Sequence, residues 1–530
     1  MKYILSIDQG TSSTKSIIFD EEGNAVAKGH ADLHTNYFDN GFVEQDPEGI
    51  YQNVLDSVSF CLQDFQSKGF NTSEIASCGI SNQRETFVLW DSTGQTLAPA
   101  IVWACKRSIE ICQKLISDQY ENSPIGGWGA LIRQKTGLII DPYFSATKLL
   151  WLLENDANLK QKLENREVYF GTVDCWLLYK MTNGKSFKTD YTNAHRTLLF
   201  NIHTLQWDKD ILKLWGLEKL NLPEVYASSS EFGDFELDII NLNRKSQIVN
   251  RILPITAMIG DSHAATFGEG CFETGTAKVT LGTGSSIMMN TGSKPIISEH
   301  GMLSTICWST ENRIDFALEG AIVACGSTIE WIKNELNLFK DVAETEEMAL
   351  KIADNAGVYL IPAFSGLGAP HWQMNRRASI EGMTFGTSKN HIVRAALESI
   401  PYQIKDVIMA MNKDMGVDLK AISVNGGLTR NGFVLHFLAD LLGVPLKKQQ
   451  NPDVSALGAA YLSGLKSGVY RDIEHLNELN ARKISSISPN LTNQTVKTGY
   501  AGWLQKVKKL PNKCQPKNLV SKYSHQEYNA

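Results

Sequence analysis

The chain has 530 residues, of which 43% are hydrophobic and 20% charged, as is typical of a globular protein with two to four domains. Its 51 basic and 57 acidic residues are mixed along the sequence and give a net charge of -6, so no basic stripe favours a nucleic acid or an anionic membrane as partner. No apolar run approaches the roughly 20 residues that span a bilayer, and we expect no membrane insertion.

Nine cysteines are spread along the chain without a CxxC pair, and the opening MKYILSIDQG lacks the apolar stretch of a signal peptide. An odd number of cysteines does not complete a disulfide framework. We therefore expect reduced thiols and a cytoplasmic protein.

The first part of the sequence alternates strand-like and helix-like segments. The strand-like segments are YILSID, KSIIFD, AVAKGHADL and IASCGI, and a helical stretch runs from Pro47 to Gln66. After Pro254 the alternation resumes with ITAMIG, AKVTLGTGSSIMMNTG and AISVNGGLTRNGFVLHFLADLLG. This alternation predicts an α/β fold with mixed sheets flanked by helices.

Two strand-turn-strand segments, SIDQGTSSTKSIIF and TLGTGSSIMMN, share a turn of glycine and hydroxyl residues. We interpret them as a sign of internal duplication, with two related domains meeting over one cleft. The predicted boundaries are 1–254 for the first domain and 255–505 for the second, followed by a polar tail, 506–530, without periodicity.

The turn from Asp8 to Lys15 places an acid, a glycine, hydroxyl residues and a lysine between two apolar strands. Glycine lets the backbone approach a ligand, and hydroxyl and N–H groups beside a lysine suit phosphate oxygens. Asp8 is then placed to hold a hydrated Mg²⁺ ion. Gly282 to Ser285 would face this turn from the second domain and hold the other side of a nucleoside triphosphate.

Considered alone, either turn is explained equally well as a ligand-binding turn or as an ordinary hairpin turn. A third glycine turn, Asn425 to Leu428, favours the ligand interpretation. Neither the dinucleotide-binding nor the P-loop spacing is present in it.

The segment NQRET, Asn82 to Thr86, follows a strand-like run at the end where ligand loops of open α/β sheets collect. Arg84 can donate a fork of hydrogen bonds and Glu85 can accept them, which suits a neutral molecule with adjacent hydroxyls. A surface ion pair is the alternative interpretation.

The paired turns resemble those of the actin-like ATPase superfamily, and the whole chain from Tyr3 to about Trp503 resembles the FGGY carbohydrate kinase family. The segments that carry the resemblance are IDQGTSST, GFVEQDP, NQRET, IVWACKR, TGLIIDPYFSATKLLW, FGTVDCWLLYKMT, TDYTNAHRTLLFNIHTLQWD, FALEGA, PAFSGLGAPHW and ALGAAYL. The two family signatures correspond to Tyr143–Asn155 and Ala378–Glu398.

The resemblance implies two actin-like, ribonuclease H-like domains with the active site in the cleft between them. It also implies ATP-dependent phosphorylation of a small polyol, with glycerol as the leading acceptor and with ATP and Mg²⁺ as cofactors. The expected partners are the polyol, ATP and further copies of the chain, as a dimer or tetramer.

Individual roles follow from the same resemblance. Asp261 would be the catalytic base that takes the proton of the acceptor hydroxyl, and a helix N-cap is the alternative for this residue. Asp8 matches the metal-associated acid of the family. The polyol pocket would be lined by Arg84, Glu85, Trp103, Tyr143, Asp261, Ser262 and Ser286. The nucleotide would be bound by Thr11, Ser12, Ser13, Lys15, Gly282, Thr283, Gly326, Glu330, Gly427 and Asn431.

The sequence departs from the family members that phosphorylate glycerol at two pocket positions. Ser262 stands where they usually have glutamine, and Ser286 stands where they usually have phenylalanine. Shorter walls would make the pocket larger and more polar, so a four- or five-carbon polyol is an alternative acceptor. Glu330 stands where the family often has glutamine, and the segment Ser123 to Ala130 is inserted relative to the family.

Two other interpretations stay open. One is a ketopentose kinase of the same family, although the NQRET and DPYF segments favour a polyol. The other is an actin-like or chaperone-like ATPase switch, which has no evident need for the polyhydroxyl pocket that Arg84, Glu85 and Trp103 would form.

Overall fold

The computed structural model describes residues 2–117, 127–241, 247–373 and 375–508. The strands of the first half are β1 (Tyr3–Gln9), β2 (Ser13–Phe19), β3 (Ala25–Asp32), β4 (Asn36–Tyr37), β5 (Val43–Gln45), β6 (Ile75–Asn82), β7 (Phe87–Trp90), β8 (Ala100–Ile101), β9 (Tyr169–Thr172), β10 (Lys188–Asp190), β11 (Phe200–Asn201), β12 (Gln206–Trp207), β13 (Glu224–Tyr226), β14 (Ser229–Asn241) and β15 (Gln247–Gly260). Six of them form one sheet in the order β14-β15-β6-β1-β2-β3. Because β1 is parallel to β6 and antiparallel to β2, this first sheet is mixed, as predicted.

The helices of the first half are α1 (Pro47–Ser67), α2 (Ile109–Ser117), α3 (Trp128–Thr136), α4 (Ser145–Asn155), α5 (Ala157–Glu164), α6 (Val173–Met181), α7 (Tyr191–His195) and α8 (Lys209–Leu214). The predicted helix from Pro47 to Gln66 is therefore confirmed as α1. It begins where the Asp46 carboxylate accepts hydrogen bonds from the backbone N–H groups of Glu48 and Gly49. Its apolar residues recur every three or four positions and pack on the first sheet; the buried ones include Ile50, Val54, Val58, Cys61 and Phe65.

The second half contains a seven-stranded sheet. Its strands and those beside it are β16 (Thr276–Leu281), β17 (Ser285–Gly292), β18 (Leu303–Thr310), β19 (Arg313–Ile322), β20 (Tyr359–Ile361), β21 (Ser379–Glu381), β22 (Ala421–Asn425), β23 (Leu446–Gln449) and β24 (Ile484–Ile487). The order in the sheet is β18-β19-β17-β16-β22-β23-β24. As in the first sheet, a central strand, β16, has one antiparallel and one parallel neighbour. The two sheets therefore share the scheme that the repeated turns predicted.

The helices of the second half are α9 (Asp261–Gly268), α10 (Gly326–Asn334), α11 (Glu344–Leu350), α12 (Lys389–Met415), α13 (Gly432–Leu442), α14 (Val454–Ser467), α15 (Ile473–Ala481) and α16 (Gln494–Lys508). The largest apolar core of the chain is formed by the second sheet together with α12 and α13. Among the described residues, every helix is too short or too polar to span a bilayer.

Helix α14 comes late in the sequence but packs on the first sheet. The hydroxyl of Ser6, in β1, donates to the backbone carbonyl of Ala456 at 2.7 Å. Helix α9 lies so close to α14 that a Cβ at Gly458 would be only 1.9 Å from the carbonyl oxygen of Ala264, so glycine is required there. This packing brings the residues that begin α9 and α14 to the carboxyl end of β1.

Two sequence-based boundaries differ from the structure. The domain boundary predicted between residues 254 and 255 lies inside β15, whose residues from Ile255 to Gly260 pair with β6 of the first sheet. Residues 506–508 of the predicted tail instead form the last turn of α16, where Val507 is buried. Residues 509–530 and residues 123–126 of the predicted insertion lie outside the described residues.

Candidate active site

Asp8 lies near the end of β1 and faces a cavity of about 240 Å³. Its carboxylate accepts a hydrogen bond from the hydroxyl of Ser81 at 2.8 Å. Burial raises the pKa of Asp8 to about 6, and the nearby carboxylate of Asp261 adds to the rise while the Ser81 hydrogen bond opposes it. The cavity therefore holds a carboxylate whose negative charge is incompletely compensated.

The cavity is bounded by both halves of the chain. Asp8 and Lys15 line it from the first sheet, whereas Thr280, Asn425 and Gly426 line it from the second. Its remaining lining comes from the beginnings of α9 and α14 and the residues before α14: Asp261, Ser262, Ala265, Pro452, Asp453, Val454 and Ser455, with Lys278 from β16. The two strand-turn-strand units thus face a common space.

The hydroxyl turn between β1 and β2 is tight, and the backbone N–H of Gly10 donates to the carbonyl of Ser13 at 2.9 Å. The Thr11 hydroxyl accepts a hydrogen bond from the indole of Trp103 at 2.9 Å and lies 3.3 Å from the Gln83 side chain. Thr11, predicted to meet phosphate, therefore also joins the turn to a wall of the predicted polyol pocket. Ser12 is exposed and Ser13 is partly exposed.

Lys15 already has an acidic partner. Its Nζ atom lies 2.9 Å from one oxygen of Asp453, and Lys28 lies 2.7 Å from the other oxygen. Burial would raise the pKa of Asp453, but the hydrogen bonds from both lysines hold it below its usual range. A phosphate reaching Lys15 would have to share it with this carboxylate, which sequence reasoning did not identify.

Arg84 and Glu85 are buried, with exposed fractions of 6% and 1%, so they are not a surface ion pair. Nε of Arg84 lies 3.3 Å from Oδ1 of Asp261, and its Nη2 lies 3.5 Å from the hydroxyl of Tyr143. Glu85 adopts a positive φ of 61°, which is uncommon for a residue with a side chain. The structure thus brings together the predicted base and three of the predicted pocket residues.

A buried network of four charges lies beneath this pocket. Glu319 binds both arginines, with its oxygens 2.9 Å from Nη2 of Arg84 and 2.6 Å from Nη1 of Arg196. Arg196 also donates to Glu85. Burial would raise the pKa of Glu319, but Arg196 and Arg84 outweigh it and hold that pKa well below the usual range.

Sequence reasoning missed Glu319 and Arg196. Both lie in segments that carried the family resemblance, FALEGA and AHRTLLF, but neither was given a role. A charged residue inside an apolar run is the signal that could have identified Glu319, in DFALEGAI, whereas Arg196 has no such signal.

Trp103 and Tyr143 form an aromatic corner of the pocket, with ring centroids 5.6 Å apart in an edge-to-face arrangement. The loop that presents Tyr143 is held by Lys148, whose Nζ donates to the backbone carbonyls of Pro142, Tyr143 and Phe144 at 2.8, 2.7 and 3.1 Å. Burial lowers the pKa of Lys148 to about 7. The aromatic corner is thus held in place by backbone contacts as well as by packing.

Asp261 is the first residue of α9, and the capping position before it is occupied by Gly260. Its carboxylate accepts a hydrogen bond from the N–H of the next residue, Ser262, at 2.6 Å. The side chain is 42% exposed, so it is open to a ligand in the cavity. The N-cap alternative is wrong for Asp261, because that position lies one residue earlier.

The two shortened positions lie side by side. The hydroxyls of Ser262 and Ser286 are 3.5 Å apart, and Nζ of Lys278 lies 3.5 Å from the first and 3.4 Å from the second. Lys278 also donates to Thr280 at 3.1 Å. This lysine is a further residue that sequence reasoning missed.

The predicted nucleotide residues of the second half form two loop clusters. In the first, the N–H of Gly326 donates to the carbonyl of Gly282 at 2.9 Å, and the carbonyl of Thr283 accepts from Ser327 at 3.0 Å. Glu330 lies one turn further along α10 and is exposed.

In the second cluster, Gly426 has a φ of 94°, and Gly427 begins a short 3₁₀ turn. Asn431 caps α13 through its side-chain oxygen and donates to Thr345 at 3.1 Å. Its amide is therefore already engaged within the protein, whereas a Cβ at Gly427 would meet nothing within 4 Å.

A cavity between two mixed α/β sheets, with carboxylates and lysines around it and a buried polar pocket beside it, is the arrangement of a phosphotransferase with a small polar acceptor. The family profiles agree with this geometry. The N-terminal domain of the FGGY family of carbohydrate kinases matches residues 3–268, and the C-terminal domain matches residues 277–466. The chain belongs to the FGGY family of carbohydrate kinases.

Individual relatives are similar over nearly the whole length. A glycerol kinase of Halothermothrix orenii is 43% identical over 504 residues, which cover 95% of this chain and 97% of the relative. Glycerol kinase 2 of Thermotoga maritima is 41% identical over 508 residues, covering 96% of this chain and 98% of the relative. The crystal structure of Plasmodium falciparum glycerol kinase with ADP has a TM-score of 0.87 and 34% identity, and it covers 96% of this chain and 98% of that one.

Proposed function

We propose that this protein transfers the terminal phosphoryl group of ATP to a hydroxyl of glycerol. The observation that carries the proposal is the position of Asp261, which lies 3.3 Å from Arg84 of the polar pocket and lines the same cavity as Asp8. The names of the similar full-length relatives support glycerol as the acceptor.

The pocket has free hydrogen-bonding capacity for a polyol. Nη1 of Arg84 is buried and has no hydrogen-bond partner among the described residues. A buried donor without a partner costs about 1–3 kcal/mol, and an acceptor hydroxyl bound there would remove that cost. Trp103 and Tyr143 would cover the carbon chain while Arg84 and Glu85 bind its hydroxyls.

The chemistry assigned to Asp261 is that of a general base. The acceptor oxygen attacks the γ-phosphorus, the bond from that phosphorus to the β–γ bridging oxygen breaks, and ADP leaves with the electron pair. Asp261 takes the proton of the acceptor hydroxyl. Closure of the two halves over the cavity would exclude water that would otherwise accept the phosphoryl group.

The residues present fit a Mg²⁺ ion at Asp8. The incompletely compensated carboxylate of Asp8 suits a cation, and Mg²⁺ usually takes one or two protein carboxylates with phosphate oxygens and waters. Within the described residues no group of three acidic, histidine or cysteine side chains forms a cage, which agrees with this mode of binding. A bound Mg²⁺ would neutralise charge on the phosphate oxygens.

A larger polyol is the second candidate acceptor, because Ser262 and Ser286 leave space where the resemblance predicts longer side chains. We further propose that the protein acts in the cytoplasm as a homo-oligomer. All eight cysteines in the described part of the chain are unpaired and buried, which supports a reducing compartment.

The test is a coupled ADP-release assay with ATP and Mg²⁺ over glycerol, erythritol, threitol, xylitol, ribitol and xylulose. We expect the highest kcat/KM with glycerol. A higher kcat/KM with a four- or five-carbon polyol or with the ketopentose would show that this compound, and not glycerol, is the preferred acceptor. ATP turnover that no alcohol stimulates but a peptide does would indicate an ATPase switch instead.

A further inference from the structure

Lys278, in β16, is fully buried, yet its ammonium group faces hydroxyls rather than acids. Nζ lies 3.1 Å from the hydroxyl of Thr280, 3.4 Å from that of Ser286 and 3.5 Å from that of Ser262. Among the described residues, no carboxylate oxygen comes within 4 Å of it to form an ion pair. Burial lowers the pKa of Lys278 accordingly.

Three carboxyl groups act on Lys278 from beyond ion-pair distance, namely Glu269, Glu319 and Asp261. Asp261 lines the cavity itself, and the other two are poor counter-charges. Burial raises the pKa of Glu269 to about 7, and one of its oxygens accepts a hydrogen bond from Asn425. Glu319 is already bound by two arginines. A buried cation without a counter-charge is costly, and an anionic ligand bound beside Lys278 would supply the charge that is missing.

The cavity beside Lys278 shows which anion that is. Lys278 lines the space that also contains Asp8 and the proposed base Asp261. The two carboxylates repel a free anion, so an anion that enters must be held by a cation of the cavity lining. A phosphoryl group passing from ATP to the acceptor would occupy this space.

We propose that Lys278 is a catalytic residue that binds the phosphoryl group during its transfer. The inference rests on the proposed kinase activity. As the bond to the acceptor oxygen forms and the bond to the β–γ bridging oxygen breaks, negative charge lies on the three remaining oxygens of the phosphoryl group. The ammonium of Lys278 stabilises that charge, and Ser262 and Ser286 orient the ammonium through their hydroxyls.

The test compares wild type with Lys278→Met, which keeps a long apolar side chain, and with Lys278→Ala. Lys405→Met is the control, because burial also lowers the pKa of Lys405, which is partly buried, but its Nζ donates to the backbone carbonyl of Leu441 in α13 and does not line the cavity. With saturating acceptor, we expect Lys278→Met to lower kcat about 100-fold or more, as removal of one charge-stabilising donor does elsewhere. We expect KM for the acceptor to change by less than about threefold.

Two further readouts separate a catalytic from a structural role. Ethylammonium added to Lys278→Ala should restore kcat at least about tenfold, since a cation alone replaces what was lost. In calorimetry with Mg²⁺, Lys278→Met should bind ADP plus aluminium fluoride at least about tenfold more weakly than wild type, and ADP alone almost equally. The calorimetric experiment needs no acceptor, so it tests the role of Lys278 even if glycerol proves not to be a substrate.

Several results would overturn the inference. In the kinetic assay, they are a kcat of Lys278→Met close to that of wild type, or a change that appears only as a higher KM for the acceptor. In the other two experiments, they are equally weakened binding of ADP and of ADP plus aluminium fluoride, or no recovery of Lys278→Ala activity with ethylammonium. A loss in KM alone would indicate that Lys278 belongs to the acceptor pocket.

Discussion

Nη2 of Arg84, just beyond the first sheet, lies 2.9 Å from Oε1 of Glu319 in β19 of the second sheet. The arginine that we propose binds the acceptor is therefore held by a carboxylate from the opposite half of the chain. Since Arg196 binds the other oxygen of Glu319, the pocket floor is a buried contact between the two halves. Changes at this contact should affect stability and acceptor binding together.

Glu319→Gln should destabilise the folded protein by about 3–5 kcal/mol, because it leaves Arg84 and Arg196 buried without their shared carboxylate. Unfolding in urea measures the change. Glu335→Gln, at the exposed end of α10, is the control and should change stability by less than about 0.5 kcal/mol.

The contact of Glu319 with the two arginines also predicts how stability depends on pH. The folded protein holds the pKa of Glu319 below its unfolded value of about 4.3, so its stabilisation is complete above that pH and is lost as the pH falls further. The stability gap between wild type and Glu319→Gln should therefore narrow below about pH 4. A gap that widens on acidification would contradict this assignment.

Asp8→Asn should become increasingly more stable than wild type as the pH rises in the absence of metal. The pKa of Asp8 is raised to about 6, so the fold favours its protonated form and loses stability as the pH rises through that value. The cost at neutral pH is at most about 3 kcal/mol for a shift of this size. The cost develops between about pH 4 and about pH 6, so melting temperatures below about pH 4 and at about pH 7 measure it.

Added Mg²⁺ should stabilise wild type near neutral pH and leave the stability of Asp8→Asn nearly unchanged, because asparagine lacks the carboxylate that attracts the ion at this position. Equal stabilisation of both proteins would show that the metal binds elsewhere.

Asp261→Asn should lower kcat about 10²–10⁴-fold, because asparagine cannot accept the proton of the acceptor hydroxyl. KM for the acceptor should change little, since the side chain keeps its shape. Asp56→Asn, on the exposed side of α1, is the control in the same ADP-release assay. Activity of Asp261→Asn near that of wild type would remove the base from this position.

Ser286→Phe should fill the space beside Ser262 and shift acceptor preference towards glycerol. We expect the ratio of kcat/KM for glycerol over xylitol to rise at least about tenfold, the effect of losing space for a carbon unit in a pocket. Ser262→Gln, measured in parallel, tests the other shortened wall. An unchanged ratio in both variants would mean that these positions do not line the acceptor pocket.

Much of the fold could be predicted from the sequence. The strands around Asp8, the helix from Pro47 and the two glycine-hydroxyl turns were all visible, because periodicity and turn residues act over a few neighbouring positions. The convergence of Arg84 on Asp261 was expected only from the family resemblance. The partners Glu319, Arg196 and Asp453 were not expected, since no local pattern indicates which distant charge a buried residue will meet.

The sequence by itself determined that this is an α/β protein with two similar turn-bearing units, and its family resemblance named the residues that we propose bind a polyol and a phosphate. Only the tertiary structure decided that α14 completes the first half, that Lys15 is paired with Asp453, and that no acid in the described part of the chain lies within ion-pair distance of Lys278. The physical reason is that local structure follows from neighbouring residues, whereas the environment of a charge depends on groups brought together by packing of the whole chain.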